Sequence, residues 1–248
     1  MARPFVQHYD AIYADKDYDS DIAAFEGLAG PAALKGKRLL EIGAGTGNHS
    51  LRLAPKVASL VCLEIDPDFS EALAAKLSAA ALPNVVRHAC RLQELPAQDF
   101  DAAAAFFHVL NYIGPGEMQS FLDALSQRLK PGAPFIADLW NGAAALQDPP
   151  LEELREKIAG AARVVQRIRP DLNRDRRMVT LNYDISLERD GTVQVFRERL
   201  VLFLWLREEL TAMLSKAGFT DIAFQDCRSY REPATARSWR LWLRARRG

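Results

Sequence analysis

The segment Leu39-Leu-Glu-Ile-Gly-Ala-Gly-Thr-Gly47 constrains this chain more than any other stretch. Leu39 to Ile42 is a short apolar run with charge before it and glycine after it, the pattern of a buried parallel strand. Gly43, Gly45 and Gly47 then alternate with small residues, and Asn48 to Ala54 opens a helical pattern. Strand, glycine turn and helix together bring backbone N–H groups against a ligand. Glycine is needed where no Cβ fits, and a helix N-terminus favours negative charge.

The next apolar run, Leu60-Val-Cys-Leu-Glu-Ile-Asp66, adds an acid at its C-terminal end, Glu64. An acid there is placed to accept hydrogen bonds from both hydroxyls of a ribose. Glycine turn plus strand-end acid points to an adenosine-containing cofactor without saying which.

From Arg38 onward the pattern alternates strand and helix, which implies a parallel sheet with crossovers. Helices are expected from Asp68 to Ala81, after Pro67, and from Met118 to Leu129. Strands are expected at Val85–His88, Asp101–His108 and Phe135–Trp140. Beyond Asn141-Gly142 the pattern changes. Val164–Ile168, Met178–Glu188 and Val193–Leu204 read as strands, and Arg189-Asp-Gly191 as a hairpin turn. Val179, Leu181, Tyr183, Ile185 and Leu187 alternate with polar residues, so a small half-buried antiparallel sheet interrupts the parallel one. Helix returns from Arg207 to Ala217, Gly218 ends it, and Phe219–Gln225 and Ser238–Ala245 close the sheet. Ahead of all this, Tyr9, Tyr13 and Tyr18 stand among Asp10, Asp15, Lys16 and Asp17. Tyr9 and Tyr13 share a helix face, as core packing or as a lid over a ligand.

Lys+Arg and Asp+Glu both number 32, so the formal net charge is zero. That weighs against a general polyanion binder, which needs a basic surplus. Cys62, Cys90 and Cys227 are scattered, without zinc spacing, as in a reducing compartment. No charged-then-apolar leader opens the chain, and no apolar run approaches the about 18 residues of a membrane span. The expectation is a cytoplasmic protein that binds no metal, membrane or nucleic acid.

Taken together, Leu39-Leu-Glu-Ile-Gly-Ala-Gly-Thr-Gly47, Glu64-Ile-Asp66, Leu129-Lys-Pro-Gly132 and Ala217-Gly-Phe219 resemble the class I S-adenosylmethionine-dependent methyltransferases. Tyr9-Asp-Ala-Ile-Tyr13, Lys16-Asp-Tyr18 and the antiparallel insertion resemble the small-molecule subgroup with nucleotide-amino-sugar N-methyltransferases. The resemblance implies an α/β fold: a Rossmann-like, seven-stranded sheet with helices on both faces and a small antiparallel insertion. Residues 1–36 would be a helical lid, 37–145 and 205–248 the cofactor-binding domain, and 146–204 an insertion forming a substrate wall or a homodimer surface.

The resemblance also assigns roles. Gly43, Ala44, Gly45 and Gly47 would line the methionine part of S-adenosylmethionine, with Glu41 orienting the turn. Glu64 would hold the ribose, Ile65 would pack on adenine, and Tyr13 and Phe106 would close around the cofactor. The family often has an acid for the adenine amino group where Cys90 stands. A cysteine is a poor acceptor, so the backbone of Arg91 and Leu92, or Gln93 and Glu94, would take that part. His108 or Tyr112 would be the base for an acceptor needing deprotonation, with a structural role for His108 equally open. Tyr9, Tyr18, Asn111 and Trp140 would bind the substrate. Arg163, Arg167 and Arg169, with Arg174, Arg176 and Arg177, would either hold a diphosphate or form a solvated surface.

The implied activity is methyl transfer to a small-molecule amine, with amino sugars first, or to oxygen or carbon of another metabolite. Two other classes compete: an NAD-dependent dehydrogenase, and a non-catalytic binding relative. Glu41 and the Lys-Pro-Gly break weigh against the dehydrogenase, and the intact glycine turn against loss of cofactor. Asn111-Tyr-Ile-Gly114 replaces the Pro-Pro-aromatic tetrad used on nucleobase amines, which weighs against DNA adenine methylation.

Overall fold

The computed structural model of the chain describes residues 2–30 and 34–248. Two single helical turns, α1 (Pro4–Gln7) and α2 (Tyr9–Ile12), precede α3 (Tyr18–Ala29), whose first turn is capped by the Asp17 carboxylate accepting from Ser20 N–H. Strand and helix then alternate through β1 (Arg38–Ile42), α4 (Asn48–Leu53), β2 (Ser59–Leu63), α5 (Pro67–Ala79), β3 (Val85–His88), β4 (Ala102–Ala105), α6 (Val109–Tyr112), α7 (Pro115–Arg128), β5 (Pro134–Trp140) and α8 (Gly142–Gln147). Four consecutive strands follow: β6 (Glu153–Ala159), β7 (Ala162–Asn173), β8 (Met178–Arg189) and β9 (Thr192–Phe203). The chain closes with α9 (Arg207–Lys216), β10 (Phe219–Asp226), β11 (Ser229–Pro233) and β12 (Arg240–Arg247).

The main sheet has the order β3-β2-β1-β4-β5-β12-β10-β11. Strands β1 to β5 run parallel, and β12 inserts antiparallel between β5 and β10. The seven expected strands are all present, and β11 adds an eighth at the edge beside β10. Its Ser-Tyr-Arg-Glu-Pro sequence carries no apolar alternation, so nothing in the sequence announced it. Central β4 is four alanines, all fully buried. Side chains that small let the layers on both faces approach closely. One face packs Leu40, Val61 and Ala105 against Met118, Leu122 and Leu125 of α7. The other packs Leu39, Leu60 and Ala104 against Ile22, Phe25 and Leu28 of α3. Strand order reverses at β1, whose neighbours are β2 and β4, and ligands of open α/β sheets bind at the carboxyl ends beside that switch.

The second sheet has the order β6-β7-β8-β9, antiparallel throughout. Asp190 and Gly191, both with positive φ, make the tight β8–β9 turn. Edge strand β6 was not visible in the sequence, because both its faces are largely exposed and its apolar residues mark no core: Leu154 is 67% and Ile158 70% exposed. The inner face of this sheet, with Val164, Ile168, Val179, Tyr183, Ile185 and Leu202, closes on Phe5 and Ile12 of the N-terminal arm. Gln166 Nε2 donates to the Ile12 carbonyl at 3.0 Å. The arm therefore lies between the inserted sheet and the glycine turn.

Candidate active site

The glycine turn is built from both packing and open space. Gly43, Gly45 and Gly47 have φ of +68°, +58° and +89°, a region that disfavours any Cβ. A Cβ on Gly43 would stand 2.5 Å from Val109 Cγ2, and one on Gly47 2.6 Å from Leu73 Cδ1. A Cβ on Gly45 would meet nothing within 4 Å. Gly43 and Gly47 thus seat the turn against the protein, while Gly45 faces free space. Ala44 N–H donates to Leu63 O, Gly45 N–H to Glu64 Oε2 at 2.8 Å, and Gly47 N–H to Ala44 O. Most of the turn's amides are consequently satisfied within the chain.

Glu64 is only 7% exposed, and its second oxygen accepts from Asp66 N–H at 2.9 Å. Burial raises its pKa, opposed by those two backbone donors. A carboxylate has about four acceptor positions, so two remain for ribose hydroxyls. Beside it Ile65 is 63% exposed, an apolar platform at the strand end suited to a planar base. Glu41 lies deeper: it is 1% exposed and accepts from Ser50 Oγ at 2.6 Å, with Cys62 Sγ at 3.5 Å. Burial pushes its pKa up to about 7. It ties β1 to α4 beneath the turn. Arg91 N–H is already taken by Glu94 Oε2 at 3.0 Å, and the Leu92 side chain is buried. That capping withdraws both the Arg91 amide and the Glu94 carboxylate from the adenine position expected of them.

The N-terminal arm closes this region. Asp10 Oδ1 accepts from Thr46 Oγ1 at 2.8 Å and from Asn48 Nδ2 at 2.9 Å, and its other oxygen pairs with Lys76 at 2.6 Å. Arg3 bridges Asp66, Asp68 and, at 3.6 Å, Glu198 of β9. His8 contacts Gln194 and stacks on Phe196, at the inserted sheet. The rings of Tyr9 and Tyr13 lie 4.6 Å apart, and Tyr13 meets Phe107 edge-on at 5.1 Å. Burial raises the pKa of both phenols, reinforced for Tyr9 by Tyr18, Tyr112 and Tyr183 and for Tyr13 by Tyr183, Tyr9 and Tyr112. Tyr18 is 8% exposed, its hydroxyl toward Asn48 and its ring against His49. It packs the arm rather than opening into the cleft.

After β4 the chain makes an abrupt turn. Phe107 and His108 both have left-handed φ, +62° and +66°, rare for residues with side chains. This turn shifts which aromatic faces the cleft. Phe106 is 2% exposed, stacked on His49 at 4.5 Å and edge-on to Trp242. It belongs to the core, and the ring presented toward Tyr13 and Lys16 Nζ is Phe107. His108 Nδ1 lies 2.9 Å from Asp138 Oδ2 on β5, and its ring meets Trp140 at 6.0 Å. Tyr112 is 47% exposed. Asn111 is fully buried: its Nδ2 donates to Phe203 O at 2.8 Å and its Oδ1 accepts from Trp140 N–H at 2.9 Å. With both ends of its amide engaged, it braces the cleft wall instead of offering a substrate contact. Trp140 is half-buried and packs on Trp239.

The arginines face away. Arg163, Arg167 and Arg169 pair with Glu156, Glu152 and Asp184 on the outer face of the inserted sheet, where a shallow recess of about 620 Å³ lies. Arg174 donates to Leu146 O and Arg177 pairs with Glu209. They do not converge on the cleft. Among the described residues there is no cluster fit for a metal ion, and no helix is long and apolar enough to cross a membrane.

The glycine turn and the strand-end acid lie within a domain that known proteins share. Residues 39–132 match the family described as methyltransferase domain. The chain carries that domain on the class I, S-adenosylmethionine-dependent methyltransferase fold, and S-adenosylmethionine is the cofactor of that class. Within it, the chain is similar to CalS10, an amino pentose methyltransferase of Micromonospora echinaspora, at 22% identity over 97% of this chain and 96% of that one, TM-score 0.74. It is also similar to KedS8, a sugar N-methyltransferase of Streptoalloteichus, at 18% identity over 95% and 91% of the two chains, TM-score 0.71. A shorter likeness, 40% identity over 80 residues, is to ribosomal RNA small subunit methyltransferase A of Nostoc punctiforme. It takes in 31% of this chain and 27% of that relative's length.

Proposed function

We propose that this protein transfers a methyl group from S-adenosylmethionine to nitrogen of a small-molecule acceptor, with amino sugars as the first class to try. The observation that carries the reading is the Asp10 carboxylate held by Thr46, Asn48 and Lys76 at the glycine turn. A dinucleotide would set its pyrophosphate at the start of the helix after the turn. Here an anion already sits there, and the turn's own amides at positions 44, 45 and 47 are paired. Such a site suits a ligand without phosphate, and S-adenosylmethionine is one. The free space over Gly45, the exposed Ile65 and the two spare acceptor positions of Glu64 fit its methionine, adenine and ribose parts respectively.

Bound there, S-adenosylmethionine supplies an electrophilic methyl for in-line attack. The chain's part is positioning, which accounts for much of the acceleration in such displacements. Gly45 and Glu64 hold the donor, and the phenols of Tyr9, Tyr13 and Tyr112 with Phe107 and Trp140 wall the acceptor space. Aromatic faces there also favour cationic groups. A neutral amine sheds its proton after attack; His108, whose pKa burial lowers, is available as a neutral base at pH 7 to take it. The resemblance to CalS10 and KedS8 in length and fold supports the acceptor class. The test is transfer of isotope-labelled methyl from S-adenosylmethionine to a panel of amino-sugar nucleotides, free amines, phenols and small-subunit ribosomal RNA. Label on an amine nitrogen supports the reading; label on oxygen or RNA alone overturns it.

A further inference from the structure

Asp138 is a charged residue that no substrate or cofactor assignment uses, yet it is fully buried. It lies on β5, paired with Trp242 of β12. One carboxylate oxygen accepts the Phe107 N–H, and the other lies 2.9 Å from His108 Nδ1 and 3.2 Å from Arg240 Nη2. A buried carboxylate is costly unless paired; although burial pushes its pKa up, His108 and Arg240 hold it well below the usual carboxylate range. The same carboxylate therefore touches both left-handed residues at the end of β4. Two successive side-chain-bearing residues in that region are strained, and such strain persists only where the surroundings fix it. A β4 that simply ran on would need no such turn.

We infer that Asp138 is the positioning residue for His108: it fixes the left-handed turn through the Phe107 amide and holds the imidazole with Nδ1–H toward itself, leaving Nε2 as the proton acceptor facing the cleft. This rests on the methyltransferase reading for its purpose, though not for its geometry. His108 Nδ1 lies 2.9 Å from Asp138 Oδ2, off ideal hydrogen-bond geometry, and meets no other partner among the described residues, while the ring lies between Phe107 and Trp140. A histidine's reactive nitrogen is set by what the other one bonds. The charged groups facing this ring are Asp138 from β5, Arg240 from β12 and Lys16 from the arm. Beyond them Asp138 also interacts with Asp21, His49 and Cys227. Among the described residues, Asp138 is the one carboxylate within ion-pair distance of the imidazole, so removing its charge leaves the two cations unopposed.

The experiment needs no acceptor. The chain has four histidines, and nitrogen-15 spectra of histidine-labelled protein, assigned with His108→Gln, report tautomer and titration of each ring. The inference expects His108 as the Nδ1–H tautomer in the parent protein. In Asp138→Asn the midpoint of His108 should fall by at least about one pH unit, with the His8 and His88 signals unmoved. An Nε2–H tautomer in the parent, a measurement independent of how any variant folds, would overturn the assignment; so would an unchanged midpoint in a folded Asp138→Asn. Calorimetry with S-adenosylhomocysteine separates the two readings. Failure of the parent to bind it would sink the proposed function and leave the tautomer result standing.

Discussion

Two alanine substitutions in one turn should separate folding from cofactor binding. At Gly43 a Cβ pays the left-handed penalty, about 1–2 kcal/mol, and meets Val109 at 2.5 Å in a packed site. Overpacking adds about 1–3 kcal/mol, so Gly43→Ala should destabilise by about 2–5 kcal/mol. At Gly45 the backbone cost is the same, but nothing lies within 4 Å, so the loss should stay at about 1–2 kcal/mol. Binding should reverse the order. The Gly45 Cβ enters the space assigned to the methionine part of the cofactor, and affinity for S-adenosylhomocysteine should fall at least about tenfold, or 1.4 kcal/mol. Urea unfolding and calorimetry of both variants supply the four numbers. A Gly45→Ala protein that binds like the parent would refute the reasoning, because the open side of Gly45 would then face no ligand.

Other outcomes follow from the same geometry. Glu64→Ala strands the Gly45 and Asp66 amides, so it should cost about 1–3 kcal/mol of stability as well as cofactor affinity, whereas Glu64→Gln should lose affinity with a smaller stability cost; equal melting curves for parent and Glu64→Ala would contradict this. Glu41, with a folded pKa raised to about 7, binds more protons folded than unfolded. Its contribution to stability is present below about pH 4.5 and lost as pH rises toward about 7; Glu41→Gln should flatten that slope in denaturation curves taken across the window. Asp10→Asn loosens the arm at a half-exposed contact, so global stability should change by less than about 1 kcal/mol, while amide exchange over residues 4–16 should speed up.

The sequence made the cofactor half of the molecule readable because its signals are local. Glycine between apolar runs, an acid at a strand end and proline before a helix each act within a few residues of themselves. Val85–His88 falls where expected for that reason. Strands β6 and β11 escaped because neither buries a face, which leaves no alternation to detect. The site residues that misled are those whose direction depends on a turn. Phe106 and Phe107 are adjacent, and the left-handed pair at 107–108 decides which ring reaches the cleft. No pattern of residue types announces a strained turn made without glycine. Asn111 belongs to a second group, set by distant partners. Its bonds to Phe203 and Trp140 span the fold, as do those of Asp10, whose place at the glycine turn depends on α5 supplying Lys76.

The most direct test of the central claim is a parallel calorimetric titration with S-adenosylmethionine, S-adenosylhomocysteine and NAD. A turn whose anion position is filled by Asp10 should bind the first two at one site per chain and leave NAD without a heat of binding. NAD bound in their place would contradict the account, since a pyrophosphate would then occupy the ground assigned to that carboxylate.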